Sequence, residues 1–247
     1  MFGISSSKTN MHELRIEKHL GDMGLLSRRE AKAQLASGNI LVNGRQAEPG
    51  QKINPQKDVV SFTKAVVKKQ EEKNTVAVYK PRGVISSHDT DRGKNIFDVF
   101  PQYKHLHTVG RLDKDSEGLI LLSNDGLITR AVTNNQHLIE KEYTVTVRER
   151  VLPWMTQKMS EGMELDDGWT LPAQAWKTGT HSFNIILKEG KKHQIRRMAN
   201  ECKLTIESLN RIRVHTISSI GMMPGNVKKI APELLEEIKR IGTKKSA

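Results

Sequence analysis

The sequence contains one cysteine, Cys202, so no disulfide can form within the chain. Aromatic residues make up only 4% of it, and no apolar run approaches the length needed to span a bilayer. The opening, MFGISSSKTN, is polar and lacks the apolar core of a signal peptide, and disorder is expected there. These absences point to a cytoplasmic protein that does not enter a membrane. Familiar chemical signatures are missing as well. There is no G-x-S-x-G elbow for a nucleophilic serine. The DRGKN stretch holds only Gly93, where a phosphate cradle needs spaced glycines. The histidines are scattered and a single cysteine offers no ligand pair, so zinc is unsupported. No internal repeat or low-complexity tract is present.

Positive charge is what the chain has in excess. Forty Lys and Arg stand against 28 Asp and Glu, a formal net charge of +12. Such a surface attracts polyanions and releases their counterions on binding. Nucleic acid is the leading partner. A membrane surface is a weaker one, because no basic amphipathic helix carries large apolar anchors. A length of 247 residues suits one or two domains with enough apolar content for a core.

Near the N-terminus, Ile16, Leu20 and Met23 recur at helical spacing, with Gly24 as the stop. Ser27 followed by Glu30 is a capping box, which starts a second helix over residues 28–36 with Ala31 and Leu35 inward and Gly38 ending it. NILVNGRQ reads as a strand entering a turn at Asn43-Gly44, and DVVSF as another strand. Arg28 and Lys32 lie one helical turn apart beside Arg29, at the positive end of their helix. They suit phosphate contacts, although a run of charges is more commonly just a solvated face. TKAVVKKQEEKN is charged, without turn glycines or an apolar face, and reads as a linker.

The elements beyond it alternate. TVAVY and GLILLS read as strands, NDG as a turn, LITRAV as a short helix. EYTVTV has period two, with Tyr143, Val145 and Val147 on one face, and FNIILK repeats that alternation. HQIRRMANEC and APELLEEIKRI read as helices. Few βαβ repeats occur, so the expected fold class is α+β around a mixed, mostly antiparallel sheet.

The stretch GRLDKDSEGLILL poses a chemical question. Asp113, Asp115, Glu117 and Gly118 match the first half of a calcium loop, but its twelfth position is Asn124, which cannot ligate as a bidentate carboxylate. No metal is expected. What remains is one carboxylate among basic residues at a turn before a buried strand, a rigid but accessible place. Cys202, near Met198 and Leu204, reads as a buried inert thiol.

SRREAKAQLASGNILVNG resembles the signature of the S4 RNA-binding domain, fixing its serine, basic pair, glycine and Val-Asn-Gly together. HTVGRLDKDSEGLILLSNDG resembles the central motif of the pseudouridine synthases, and VYKPRGV, EKEYTV and LKEGKKHQIRRM resemble three further motifs of that family, in family order. The resemblance implies an S4-like unit at 11–62, a linker at 63–74 and a catalytic domain at 75–247. It implies that Asp113 is the catalytic aspartate, that Tyr143 lies against the target base and serves as a general base, and that Arg196 pairs with the aspartate. Arg111 would fill the space the base leaves, and Lys80 with Pro81 would shape the pocket floor. Arg28, Arg29, Lys32, Lys80, Arg111, Lys192 and Arg197 are the expected RNA-binding residues. His193 stands where the subfamily more often has arginine, which bears on an RNA contact. Without the motifs, Tyr143 would read as core, Arg196 and Arg197 as a solvated helix face, and Asp113 as a turn residue.

The implied reaction exchanges nothing with a third party, so no cofactor is expected. The expected substrate is ribosomal RNA, of the large subunit by a weak preference, with small-subunit RNA and tRNA as alternatives. A monomer is expected. The rival from another class is a non-enzymatic S4-type RNA-binding or ribosome-assembly protein, which has no need of a carboxylate in a phosphate-facing pocket.

Overall fold

The computed structural model describes residues 13–63, 73–88 and 93–243. The reading made for residues 1–10, and nearly all of the linker, lie outside them. The chain divides into two compact units, one ending at Lys73 and one beginning at Asn74.

The first unit holds two short helices, α1 (Ile16–Asp22) and α2 (Arg28–Ala36). The second begins where its capping box dictates: Ser27 Oγ accepts from the Glu30 amide at 3.1 Å, and the Glu30 carboxylate accepts from the Ser27 amide at 3.0 Å. Ile16, Leu20, Ala31 and Leu35 bury fully against Ile40 and Ile53. Met23 does not join them, being 53% exposed, because the helix ends at Asp22 before another turn could bring it round. β-strands β1 (Leu14–Arg15) and β4 (Lys52–Ile53) pair with each other, and β2 (Ile40–Val42) lies between β3 (Arg45–Gln46) and β5 (Val60–Phe62). Arg28, Arg29 and Lys32 are exposed on α2.

The second unit is α+β. Its main sheet has nine strands. They are β6 (Thr75–Lys80), β7 (His107–Val109), β8 (Glu117–Ser123), β9 (Lys141–Val147), β12 (Gln174–Gly179), β13 (Ser182–Leu187), β14 (Ile206–Val214), β15 (Ile217–Ser218) and β16 (Val227–Lys229). The order is β12-β13-β9-β14-β8-β6-β16, with β7 on β8 and β15 on β14. Among the described strand pairs only β14 with β8 is parallel. A separate hairpin joins β10 (Glu164–Leu165) to β11 (Gly168–Trp169). The helices are α3 (Ile96–Val99), α4 (Gly126–Thr133), α5 (Pro153–Glu161), α6 (Gln194–Glu201) and α7 (Pro232–Thr243).

The strand pattern has its expected cause. Val145 and Val147 of β9 and Phe183, Ile185 and Leu187 of β13 are buried and pack with Met155 and Met159 of α5 and Met198 of α6. Cys202 sits in that cluster, where burial pushes its thiol pKa up. Where β8 starts beside β14, Gly118 is required. Its φ is +105°, and a Cβ there would collide with the Asn210 side chain and the Arg211 backbone. Among the described residues no helix is long and apolar enough to cross a membrane.

Candidate active site

Asp113 lies in the loop between β7 and β8, and both sides of it are held. Ser86 Oγ donates to the Leu112 carbonyl at 2.7 Å and accepts from the Leu112 amide at 3.1 Å. The Gly83 amide donates to the Lys114 carbonyl at 2.7 Å, and the Ser116 amide to the Asp113 carbonyl at 3.1 Å. Leu112 and Ser116 are buried, whereas the Asp113 side chain is 40% exposed. The backbone is fixed and the carboxylate is available, as a reacting group requires.

An arginine and a histidine face that carboxylate. Arg196 Nε lies 3.8 Å from Asp113 Oδ2, and His193 Nε2 lies 3.5 Å from Oδ1. Arg196 stands on the first turn of α6 and also donates to Ser116 Oγ at 3.3 Å. His193 caps that helix at φ +50°, a left-handed conformation that a residue with a Cβ adopts only where its surroundings enforce it. The sequence linked the His193 position to an RNA contact; its side chain also stands beside the aspartate. Only its place one turn before Arg196 could have indicated this.

These groups line a cleft of about 890 Å³ that also takes in Tyr143, Arg111, Lys192, Lys141 and Arg211. Tyr143 is partly buried on β9, with Arg211 of β14 as its cross-strand neighbour. Arg111 and Lys192 are exposed at the cleft. Arg211 is 3% exposed and donates from Nε to the Leu119 carbonyl at 2.7 Å. Neither Lys141 nor Arg211 was foreseen as part of the site.

Two expected RNA contacts are corrected. Lys80 has no exposed surface. Its ammonium donates to the carbonyls of Pro81 at 2.9 Å and Val84 at 2.7 Å and reaches that of Lys114 at 3.5 Å. It ties the KPRGV turn to the aspartate loop from beneath. Arg197 is likewise occupied: its guanidinium meets Asp166, and bonds Asp167 Oδ1 at 2.9 Å and Oδ2 at 3.1 Å. It braces the β10–β11 hairpin, and both acids lie at that hairpin's turn. The three acids of GRLDKDSEG also separate. Asp113 faces Arg196 and His193, Glu117 reaches Ser208 Oγ at 3.4 Å, and Asp115 is exposed. Among the described residues no three His, Cys, Asp or Glu side chains are grouped to hold a metal.

Burial holds the Lys80 amine down to about 8, against Glu117, Asp113 and Asp115, which raise it. Burial does the same to Lys141, also to about 8, with the charge of Arg211 adding to the effect. Free lysine titrates near ~10.4. Below about 8 the cost of a desolvated charge is fully present; between that value and ~10.4 the unfolded chain binds more protons, so stability from this source rises with pH. The stability of the wild type relative to Lys141→Met should therefore increase across that window, read from urea midpoints at fixed ionic strength. A relative stability that stays level or falls would contradict the shift.

A model of the RNA pseudouridylate synthase family matches residues 74–201. The chain is 31% identical over 227 residues to the dual-specificity RNA pseudouridine synthase RluF of Escherichia coli strain K12, across 91% of this chain and 78% of that protein. It is 30% identical over 238 residues to ribosomal large subunit pseudouridine synthase B of Bacillus subtilis strain 168, across 92% of this chain and 95% of that protein. A crystal structure of a pseudouridylate synthase shares the fold, with a TM-score of 0.67 at 24% identity over 91% of this chain and 99% of the other.

Proposed function

The chain belongs to the RNA pseudouridylate synthase family and is an isomerase, and from that premise we propose that it converts one uridine of large-subunit ribosomal RNA to pseudouridine. The names of the relatives support that RNA class. The observation that supports the assignment of the site is the ionised pair of Asp113 and Arg196, set 3.8 Å apart in a cleft that also holds Tyr143.

The reaction breaks the N1–C1′ bond, rotates the base, and forms a C5–C1′ bond; the proton leaves C5 and N1 gains one. The atoms balance within the nucleotide and one proton transfer. Asp113 acts at C1′, by attacking it or by stabilising the charge that develops there. Arg196 and His193 stand against the two oxygens of that carboxylate and hold it in place toward the sugar. Tyr143 offers a ring against the base and a phenol to take the C5 proton. The target uridine leaves its helix to reach this cleft, and the flat cation of Arg111 stacks where it stood. The unit before Lys73, S4-like in sequence, grips RNA through Arg28, Arg29 and Lys32, and Lys192 meets phosphate at the cleft. The enzyme works as a cytoplasmic monomer.

Pseudouridine mapping in a strain lacking the gene tests this reading. One large-subunit signal should vanish and return with a wild-type copy. An unchanged large-subunit map would overturn the assignment of the RNA, and an unchanged map of all stable RNA would overturn the activity.

A further inference from the structure

The chain has three tryptophans, and all are exposed: Trp154 by 50%, Trp169 by 67% and Trp176 by 40%. Large aromatic surface left in water marks contact surfaces. Trp154 stands on α5 and Trp176 on β12. Trp169 has a different setting. It walls a second cavity, of about 760 Å³, that shares His193 and Arg196 with the catalytic cleft. The two spaces meet at the residues facing Asp113.

The hairpin bearing Trp169 is held firmly. Arg197 grips Asp166 and Asp167 at its turn. Lys191 Nζ donates to the carbonyls of Asp167 at 2.9 Å and Gly168 at 3.2 Å. At its open end the Thr170 amide donates to the Met163 carbonyl at 2.9 Å, and the Met163 amide to Thr170 Oγ1 at 3.0 Å. The two cations that hold the turn flank the 193–196 segment in sequence. The backbone that carries the indole is thereby held beside the catalytic groups, with little backbone entropy to lose on stacking. Lys158 adds positive charge to the cavity; Glu164 and Glu201 also line it and suit the amino edge of a base rather than a phosphate.

We propose that Trp169 is the stacking platform for an unpaired nucleotide next to the target uridine, whose backbone crosses His193 and Arg196. The proposal rests on the synthase reading above. RNA is the occupant because the cavity shares His193 and Arg196 with a cleft that takes a flipped uridine, and a neighbouring nucleotide must lie one phosphate away. Bases of any kind stack on an indole, and single strands are bound in this way.

The test uses full-length protein and unmodified large-subunit ribosomal RNA transcribed in vitro, with affinity read by filter binding and turnover read separately. Trp169→Ala should weaken binding by roughly 5- to 150-fold, the range of one stacked base. The slope of log affinity against log salt should not change, because no charge is removed. Trp169→Phe should retain most of the affinity, and Trp154→Ala and Trp176→Ala all of it. Asp167→Asn supplies a contrast of sign. Deleting an acid beside Arg197 would tighten RNA binding by charge alone, whereas loosening the hairpin weakens it, so weaker binding supports the proposal and tighter binding counts against it. Wild-type affinity in Trp169→Ala, or equal losses at all three tryptophans, would overturn the proposal. Wild-type protein that binds this RNA but forms no pseudouridine would instead overturn the synthase reading, which the binding measurements do not depend on.

Discussion

Asp113→Asn should abolish pseudouridine formation while leaving RNA affinity within a few-fold. The substitution keeps size and shape and removes only the charge and nucleophilicity. Arg196 and Ser116 stay bonded, so the loop keeps its clamp. An amide can neither attack C1′ usefully nor balance positive charge there. Loss of a group that acts directly on the reacting atoms costs at least ~10³-fold in turnover. Affinity should hold or rise slightly, because one negative charge near phosphate is gone. Uridine labelled with tritium at C5 reads the chemistry directly, since that hydrogen is displaced when C5 bonds to C1′. Tritium release by the Asn variant at anything near the wild-type rate would sink the mechanism.

Lys80→Met should lower turnover by about 10²-fold with little change in RNA affinity, the penalty typical of a reacting group displaced by about 1 Å. Methionine fills much the same space, but it cannot donate to the carbonyls of Pro81, Val84 and Lys114. Relief from a desolvated charge offsets part of the loss in stability. The unpaired carbonyls then shift to find water, and the Asp113 loop moves with Lys114. An RNA-contacting lysine behaves in the opposite manner: its loss weakens binding and reduces the salt slope by about one. Turnover and salt slope measured together separate the two. Unchanged turnover with a reduced slope would restore the phosphate-contact reading and remove the positioning role.

Local signals in the sequence were reliable where the cause was local. The capping box at Ser27 sets the start of α2, and the alternation in EYTVTV gives β9 with Val145 and Val147 inward. The α+β class and most second-unit elements follow from such patterns. Asp113, Arg196 and Tyr143 were legible only through the order of four motifs; singly, each had a bland explanation. What stayed hidden depends on distant partners. β14 reads IESLNRIRV, and its charged residues conceal a strand at the centre of the sheet. Arg211 is buried there because the Leu119 carbonyl, far away in sequence, accepts its bond. Lys80 is concealed in the same way, since nothing local announces three carbonyls around an ammonium. The acidic partners of Arg197 went unseen because they lie on a hairpin that the pattern did not reveal.

The position of β14 also constrains how the protein comes to life. In the sheet, β9 and β8 are joined only through β14, so the strand bearing Tyr143 and the strand after Asp113 have no shared edge until Ile206–Val214 is in place. That strand is made late, after Asp113, Tyr143, His193 and Arg196, and it carries Arg211 of the cleft itself. During synthesis the two halves can form their own hairpins, but they wait for a keystone. A chain lacking Ile206–Val214 is therefore expected to form no pseudouridine, although it holds Asp113, Tyr143 and Arg196.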